Sequence, residues 1–165
     1  MRPNDREPGP LDALCRVAMR LAYRAQLAWW FVRRPTIEGA YVAVWHAGRV
    51  LVIQNSYRRR LSLPAGRLER GETPDACAAR ELAEEAGIDV PASRLVYHGE
   101  IVNVDDYAED HAHVFELRCE REPRVAVDGR EVVWAAFLAP DDAIERGVVG
   151  VVRRYLDRKR PQAAR

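Results

Sequence analysis

Hydrophobic and polar positions alternate with two different periods along this chain, and each period predicts a different kind of element. Residues 11–34 contain no proline or glycine, and their apolar positions recur every three or four residues, which is typical of an amphipathic helix. Pro35 ends this pattern. Two β-rich runs follow, at 40–45 and 50–54, and a turn at 46–49 joins them, so this region is predicted to be a hairpin.

The rest of the chain continues with one central helix and further strands. The helix pattern starts at Thr73 and Pro74, which favour a helix start, and stops at Gly87. Further elements are predicted as strands at 95–104, 113–119 and 131–138, an acidic turn at 105–110, and helices from Pro140 and over 148–160. This order predicts an α/β (α+β) fold, in which a mixed sheet is sandwiched between helices and carries an N-terminal helical extension.

These elements divide the chain into four parts. We expect a flexible leader at 1–10, the N-terminal amphipathic helix at 11–34, one folded domain at 35–160 and a tail at 161–165.

The N-terminal helix has two open interpretations. Its apolar stripe includes Leu11, Leu14, Ala18 and Ala25, and its last residues, 27–34, are aromatic and then basic. Either the helix packs against the domain or pairs with another copy to form a homodimer, or it lies on a membrane surface, where aromatic and basic residues are combined. Its arginines leave no apolar run of the length that a membrane span needs.

Composition and charge limit the classes of function that this protein can have. The formal net charge is +1, which does not indicate the broad basic surface of a nucleic-acid-binding protein, so no nucleic-acid partner is expected. The chain has three cysteines, Cys15, Cys77 and Cys119. Their odd number does not indicate a disulfide set, and their spacing does not indicate a zinc site. No signal peptide is recognisable at the N-terminus. We therefore expect a cytoplasmic protein.

The central helix carries the candidate chemistry. Glu81, Glu84 and Glu85 share one helix face, with Arg80 one turn before Glu84. Three carboxylates placed together repel each other, and a divalent cation with hard oxygen ligands converts that repulsion into binding. The segment therefore predicts a metal site that acts on a phosphate compound.

The same segment fits a longer pattern without a gap. Its specified positions are Gly66, Glu72, Arg80, Glu81, Leu82, Glu84, Glu85, Gly87 and Ile88. This set resembles the signature of the Nudix hydrolase superfamily. The resemblance implies an α/β/α sandwich and a pyrophosphohydrolase that cleaves a nucleoside diphosphate linked to another moiety, X, with Mg²⁺ or Mn²⁺.

The resemblance also implies roles by position. Glu84 and Glu85 are the first metal ligands, Glu81 is a further ligand or the general base, and the Ala65 carbonyl is another ligand. Glu72 and Arg80 are expected to hold the loop and the helix in place. Many relatives have glycine where this chain has Ala65, and because alanine disfavours positive φ, we expect a slightly reshaped loop.

Outside the signature the candidates are weaker. Glu131 is a candidate for a further metal-binding acid, with Asp128 as its rival. Arg58, Arg59 and Arg60 either contact substrate phosphates or are solvated. Four aromatic residues either stack on a base or belong to the core: Tyr57, Trp45, Tyr107 and Phe115. We expect the substrate-contacting set to include Tyr57, Arg58, Arg60 and Tyr107.

The substrate is the least determined feature. The proline that ADP-ribose-type enzymes carry after the signature is missing here, where the chain reads Val102-Asn103-Val104. The expected substrate is therefore a (d)NTP or a nucleotide sugar. The alternative is a regulatory module that senses a nucleotide with little turnover.

Overall fold

A computed structural model of the 165-residue chain describes residues 9–159. Most of the expected leader and the whole of the expected tail lie outside the described residues. The helices are α1 (Pro10–Arg33), α2 (Pro74–Ala86), α3 (Pro140–Arg146) and α4 (Gly150–Lys159), and a 3₁₀ turn spans Ala92–Arg94. The strands are β1 (Thr36–His46), β2 (Arg49–Asn55), β3 (Ala65–Arg67), β4 (Val96–Asp105), β5 (Ala108–Arg118) and β6 (Val132–Leu138).

These strands form one mixed sheet with the order β4-β5-β1-β2-β6, and β3 pairs with the first half of β1. β1 and β5 run parallel, from Thr36 beside Glu109 to Trp45 beside Arg118. The other pairs are antiparallel. The first half of β1 therefore has β3 on one side and β5 on the other.

Alternate residues of β1 point to opposite faces of the sheet. Val42 and Val44 are buried on the face that α2 covers, where Leu82 of α2 packs. Ala43 is buried on the other face, where Leu156 of α4 packs. Helices therefore enclose the sheet on both faces, as the sequence predicts. Each fully buried valine or leucine in these layers stabilises the fold by roughly 1.5–3 kcal/mol.

The strands extend further than the sequence predicts. β1 begins at Thr36 rather than at residue 40, because β3 and β5 pair with this earlier part. The predicted acidic turn at 105–110 is wrong. Only Asp106 and Tyr107 turn, both with positive φ, and the acidic residues beside them belong to β4 and β5. This hairpin places Asp110 inside the sheet.

Helix α1 lies against the domain with arginines on its inner side, although an amphipathic helix usually buries its apolar stripe. Arg16 donates two hydrogen bonds to the Gly129 carbonyl, at 2.9 and 2.5 Å. Arg20 donates one to the Ser56 carbonyl at 3.0 Å. Guanidinium groups satisfy these loop carbonyls, which an apolar face would leave unpaired. The arginines therefore fasten α1 to two loops of the domain.

The outward side of α1 carries exposed apolar side chains towards both ends of the helix. Its large apolar side chains are between 50% and 75% exposed: Leu11, Leu14, Val17, Leu21, Trp29, Phe31 and Val32. We call these residues the outer face of α1. Within residues 9–159, no helix is long and apolar enough to cross a membrane.

Glu116 connects the end of α4 to the sheet. It is 6% exposed, accepts a hydrogen bond from the Tyr155 hydroxyl at 2.8 Å, and is ion-paired with Lys159. Burial raises the pKa of this carboxyl, but the bonds from Lys159 and Tyr155 outweigh burial, so its net pKa is below the usual value. Its charge therefore stabilises the fold.

We expect Glu116→Gln to lower the free energy of unfolding by about 2 kcal/mol at pH 7. A carboxyl whose pKa is lowered in the fold contributes stability above its unfolded pKa, and that stability is lost as pH falls through the folded value. The difference between wild type and variant should therefore shrink in acid. Urea unfolding at pH 7 and pH 4 measures this, with the exposed Glu120→Gln as the matched control. A stability difference between wild type and Glu116→Gln that is the same at both pH values would contradict this expectation.

Candidate active site

A cavity of about 820 Å³ lies between α1 and the sheet, within the size range of small-molecule sites. The inner side of α1 forms one wall through Met19, Tyr23, Gln26 and Trp30. The opposite walls come from the strands and from α2, with Gly39, Tyr41, Gly66, Glu81, Glu84, Asn103, Asp110 and Glu131 among the lining residues. Two glutamates of the sequence signature, Glu81 and Glu84, therefore face a cavity that the N-terminal helix covers.

Helix α2 presents these glutamates because its other side packs on the sheet. It begins after Thr73, which takes the N-cap position as predicted, although the Thr73 side chain makes no capping hydrogen bond. It ends at Gly87, whose φ of 65° suits glycine. Cys77, Leu82 and two alanines of α2 are buried in the core.

Arg80 joins the acidic residues of α2 to the loop after β3. It donates hydrogen bonds to both carboxylate oxygens of Glu72, at 2.9 and 3.0 Å. It also donates to Glu81 at 2.5 Å, to Glu84 at 3.3 Å and to the Arg67 carbonyl at 3.2 Å. The bonds from Arg80 lower the pKa of Glu72 to about 2. This bidentate pairing fixes the loop against the helix.

Glu85 is the most buried of the three signature glutamates, at 7% exposure. It accepts hydrogen bonds from the Ala65 amide at 2.7 Å and from the Asn55 side chain at 3.1 Å. Burial, with a further contribution from the charge of Glu81, raises the pKa of Glu85 to about 8. Ala65 does not adopt a positive φ, so the reshaping that we expected for this loop is not needed.

Glu81 lies directly against the backbone of Gly66. A Cβ atom at Gly66 would fall 1.9 Å from Glu81 Oε1, so only glycine leaves room for this carboxylate. Burial raises the pKa of Glu81, Arg80 opposes that shift, and the charges of Glu84 and Glu131 add to it. The carboxylates are thus close enough to repel one another.

The acidic residues offer the oxygen donors that a hard divalent cation binds. In this structure, however, they are not arranged around one common point. Among the residues that the structure describes, no three His, Cys, Asp or Glu side chains form a group that could hold an ion. Glu81 and Glu84 are paired with Arg80 instead. The donors are all oxygens, their charges repel, and bare glycine backbone lies beside them, which suits Mg²⁺ or Mn²⁺.

The structure gives different positions to Asp128 and Glu131, the two candidate acids in the loop before β6. Asp128 accepts hydrogen bonds from the backbone amides of Arg130, Glu131 and Val132, at 3.0 to 3.2 Å, and so shapes the turn. Glu131 lines the cavity and accepts a hydrogen bond from the Tyr57 hydroxyl at 3.2 Å. Of the two, Glu131 is therefore the acid that can join the signature glutamates.

Three of the four expected substrate contacts line the cavity: Tyr57, Arg58 and Arg60. Tyr107 does not. It is 51% exposed and packs on Phe31 with ring centroids 5.2 Å apart, because the hairpin turn carries it away from the cavity. The other two aromatic candidates are not among the lining residues either, since Trp45 donates to Tyr155 and Phe115 is buried in the core.

Arg58 is held by α1. Its guanidinium lies 5.2 Å from the centre of the Tyr23 ring, donates to the Tyr23 hydroxyl at 3.1 Å, and pairs with Asp106 at 3.2 Å. Tyr23 in turn donates to Asp106 and packs on Tyr57 with ring centroids 5.1 Å apart. The sequence did not show which side chains of α1 reach the cavity, because no local pattern shows which face of a helix meets a distant loop.

Two buried amides of the site were also not predicted. Asn55 bonds Glu85, and Asn103 is 5% exposed in β4 and lines the cavity. Their positions in otherwise apolar strands were the available indication, since polar side chains buried in strands are usually there for a bond.

Comparisons with known proteins agree with this geometry. The NUDIX domain family model matches residues 35–158. A MutT-like protein of Streptomyces ambofaciens is 33% identical over 124 residues, which cover 74% of this chain and 75% of that protein. An ADP-ribose pyrophosphatase of Bacillus subtilis (strain 168) is 32% identical over 114 residues, which cover 64% of this chain and 60% of that protein.

A solved structure has the same fold. The crystal structure of a MutT NUDIX hydrolase from Burkholderia pseudomallei matches with a TM-score of 0.65 and 21% identity, over 74% of this chain and 96% of that chain. Since the family model spans the whole domain and a relative above 30% identity covers three quarters of the chain, this protein belongs to the Nudix hydrolase superfamily.

Proposed function

We propose that this pyrophosphohydrolase uses Mg²⁺ or Mn²⁺ to cleave the diphosphate of a nucleoside diphosphate linked to X, where X is a small group such as a sugar. The observation that carries the proposal is the placement of Glu81 and Glu84 in the wall of a ligand-sized cavity, with Glu85 buried on the same helix against the Ala65 amide. Glu84 and Glu85 would hold the cation, with the Ala65 carbonyl and Glu131 as further oxygen donors and Glu81 as either a further ligand or the general base. When bound, such a cation neutralises phosphate oxygens and activates water.

The residues of the chain supply position and proton transfer. Arg80 and Glu72 keep the loop after β3 against α2, so the backbone of Gly66 stays beside Glu81. A carboxylate with a raised pKa, such as Glu81, suits a general base that takes the proton of the attacking water. The water oxygen then forms a bond to phosphorus as the bond to the bridging oxygen breaks. The products are a nucleoside monophosphate and phosphorylated X.

A substrate panel tests the reaction and its metal requirement. The panel contains NTPs, dNTPs, ADP-ribose, nucleotide sugars and dinucleoside polyphosphates, each with Mg²⁺, with Mn²⁺ and with EDTA. We expect cation-dependent release of a nucleoside monophosphate, and ¹⁸O-labelled water shows which phosphorus is attacked. The B. subtilis relative named as an ADP-ribose pyrophosphatase favours ADP-ribose within this panel.

The second candidate is a nucleotide-sensing module with little turnover. The observation that favours it is that Arg80 is ion-paired with Glu81 and Glu84, two of the carboxylates that the enzyme would need for its cation. Tight binding of a panel member without products, in Mg²⁺ and in Mn²⁺, would support the sensor. Measurable product formation supports the enzyme.

The outer face of α1 is a proposed contact surface, either for a second copy of the chain or for a membrane surface. Exposed apolar side chains towards both ends of a helix are unusual for a monomer in water. We expect the double variant Leu14→Glu and Leu21→Glu to abolish the contact, because both side chains are at least 60% exposed and charge is costly in an apolar interface.

Light scattering with size-exclusion chromatography tests the homodimer, and co-sedimentation with anionic vesicles tests the membrane contact. The matched control is Val96→Glu, at a residue 67% exposed on the edge strand β4. A wild-type monomer that leaves vesicles in the supernatant contradicts both forms of the proposal.

We also propose a cytoplasmic location. Cys15, Cys77 and Cys119 are all free thiols, which supports a reducing compartment. Detection of the tagged protein by cell fractionation tests this.

A further inference from the structure

The cavity extends across four strands, well beyond the glutamates. Gly39 of β1 lies beside Arg67 of β3, Ile37 of β1 lies beside Asp110 of β5, and Asp110 lies beside Asn103 of β4. Each step between neighbouring strands is about 4.8 Å, so the β4 end is roughly 14 Å from the loop that faces Glu81. A diphosphate held beside the glutamates would leave this far end for another part of the substrate.

Asn103 is the unusual residue at this end. Its side chain is 5% exposed and lines the cavity. Within residues 9–159, its Nδ2 atom is buried and has no hydrogen-bond acceptor. A buried donor without a partner destabilises a fold by about 1–3 kcal/mol, so such groups usually have a reason to be there. An acceptor atom on a ligand would satisfy this amide.

The charges around Asn103 are already paired within the protein. Asp105 accepts the Gly150 amide at 2.8 Å and lies 3.6 Å from Arg60. Asp110 accepts the Tyr41 hydroxyl at 2.9 Å. Arg58, the other cation nearby, pairs with Asp106 at 3.2 Å. Arg59 also lines the cavity here and is exposed, but the three carboxylates of this end, Asp105, Asp106 and Asp110, would repel a phosphate.

The chemistry of this end therefore suits an uncharged group that offers oxygen acceptors and hydroxyl donors. Carboxylates such as Asp110 accept hydrogen bonds from hydroxyls, and the Asn103 amide donates to a hydroxyl or ring oxygen.

Resting on the proposed function, we infer that Asn103 and its neighbours form a subsite for a sugar of the substrate, with the Asn103 amide as the donor that recognises it. The sugar is either X or the ribose of the nucleoside. The subsite explains an amide without a partner in a wall of the cavity, and it makes Asn103 a specificity-determining residue rather than a structural one.

The test compares Asn103→Leu with its parent for ligand affinity and for thermal stability. Leucine has a similar volume and removes the unpartnered donor, so the free protein should melt at the same temperature as wild type or higher. Calorimetry with ADP-ribose, ATP and dATP measures affinity in a Glu85→Gln background, in which turnover does not interfere. The matched control is Val102→Leu, at the neighbouring, partly exposed residue of β4.

We expect Asn103→Leu to weaken ADP-ribose binding about tenfold or more, with Val102→Leu unchanged. Weakened binding of ADP-ribose alone assigns the subsite to X, whereas weakened binding of ATP as well assigns it to the nucleoside ribose, at the 2′-hydroxyl when dATP is unaffected. The inference is overturned if Asn103→Leu binds all three ligands with the affinity of its parent. It is also overturned if Asn103→Leu melts at a lower temperature and loses affinity equally for ADP-ribose, ATP and dATP. Because affinity is read without turnover, failure of the proposed hydrolysis is seen separately in the substrate panel.

Discussion

Glu85→Gln is expected to reduce metal-dependent turnover by a factor on the order of 1,000 or more while leaving the fold intact. Glutamine keeps the volume of the side chain and one acceptor oxygen. That oxygen can still accept the Ala65 amide, and the Asn55 amide can rotate to present its own oxygen to the new NH₂ group. What the variant loses is the negative charge.

Stability separates loss of charge from loss of fold. Burial raises the pKa of Glu85 to about 8, so its ionisation disfavours the fold when no cation is present. In EDTA, the variant should therefore melt no lower than wild type. Steady-state turnover with Mg²⁺ and with Mn²⁺ gives the activity, and the exposed Glu145→Gln on α3 is the matched control. Wild-type turnover in Glu85→Gln would refute the metal-ligand assignment.

Gly66→Ala is expected to reduce turnover about a hundredfold with little change in stability. The added Cβ would overlap the Glu81 carboxylate, 1.9 Å from Oε1 and 2.0 Å from Cδ. The carboxylate is the end of a flexible side chain, so it moves aside and the backbone stays. Displacement of a reacting group by about 1 Å is enough for a hundredfold loss.

The matched control for this substitution is Gly9→Ala. Gly9 has a φ of −73°, which alanine adopts easily, and among residues 9–159 its Cβ would meet Asp12 Oδ2 at an ordinary 3.7 Å. Turnover and melting temperature are measured for both variants. If Gly66→Ala turns over at the wild-type rate, the position of Glu81 against the Gly66 backbone does not contribute to catalysis.

The sequence predicted the central helix and its glutamates well, because the information there is local. A cap position, a stop glycine and the spacing of Glu81, Glu84 and Glu85 all act within a few turns of the same helix. The order of strands and helices likewise predicted the sandwich, since each face of the sheet must be covered.

What could not be predicted depends on contacts between distant parts of the chain. The apolar stripe of α1 left open whether the helix packs on the domain, pairs with another copy or lies on a membrane surface. In the structure Arg16 and Arg20 face inward, because the loops that they meet present carbonyls that accept their hydrogen bonds. Tyr107 was expected at the substrate and lies outside the cavity, because two positive φ angles turn the β4–β5 hairpin away. No spacing along the sequence reports either arrangement.

The two arginine contacts of α1 have a thermodynamic consequence. Arg16 holds the loop that leads to Glu131, and Arg20 holds the loop that continues into Arg58, so docking of the helix and the order of both loops are one equilibrium. Any ligand that needs both loops in place must tighten the docking of α1, and any partner of the outer face that favours the docked helix must tighten the ligand by the same factor. The same 24-residue helix thereby links what happens on its outer surface to how the enzyme holds its substrate.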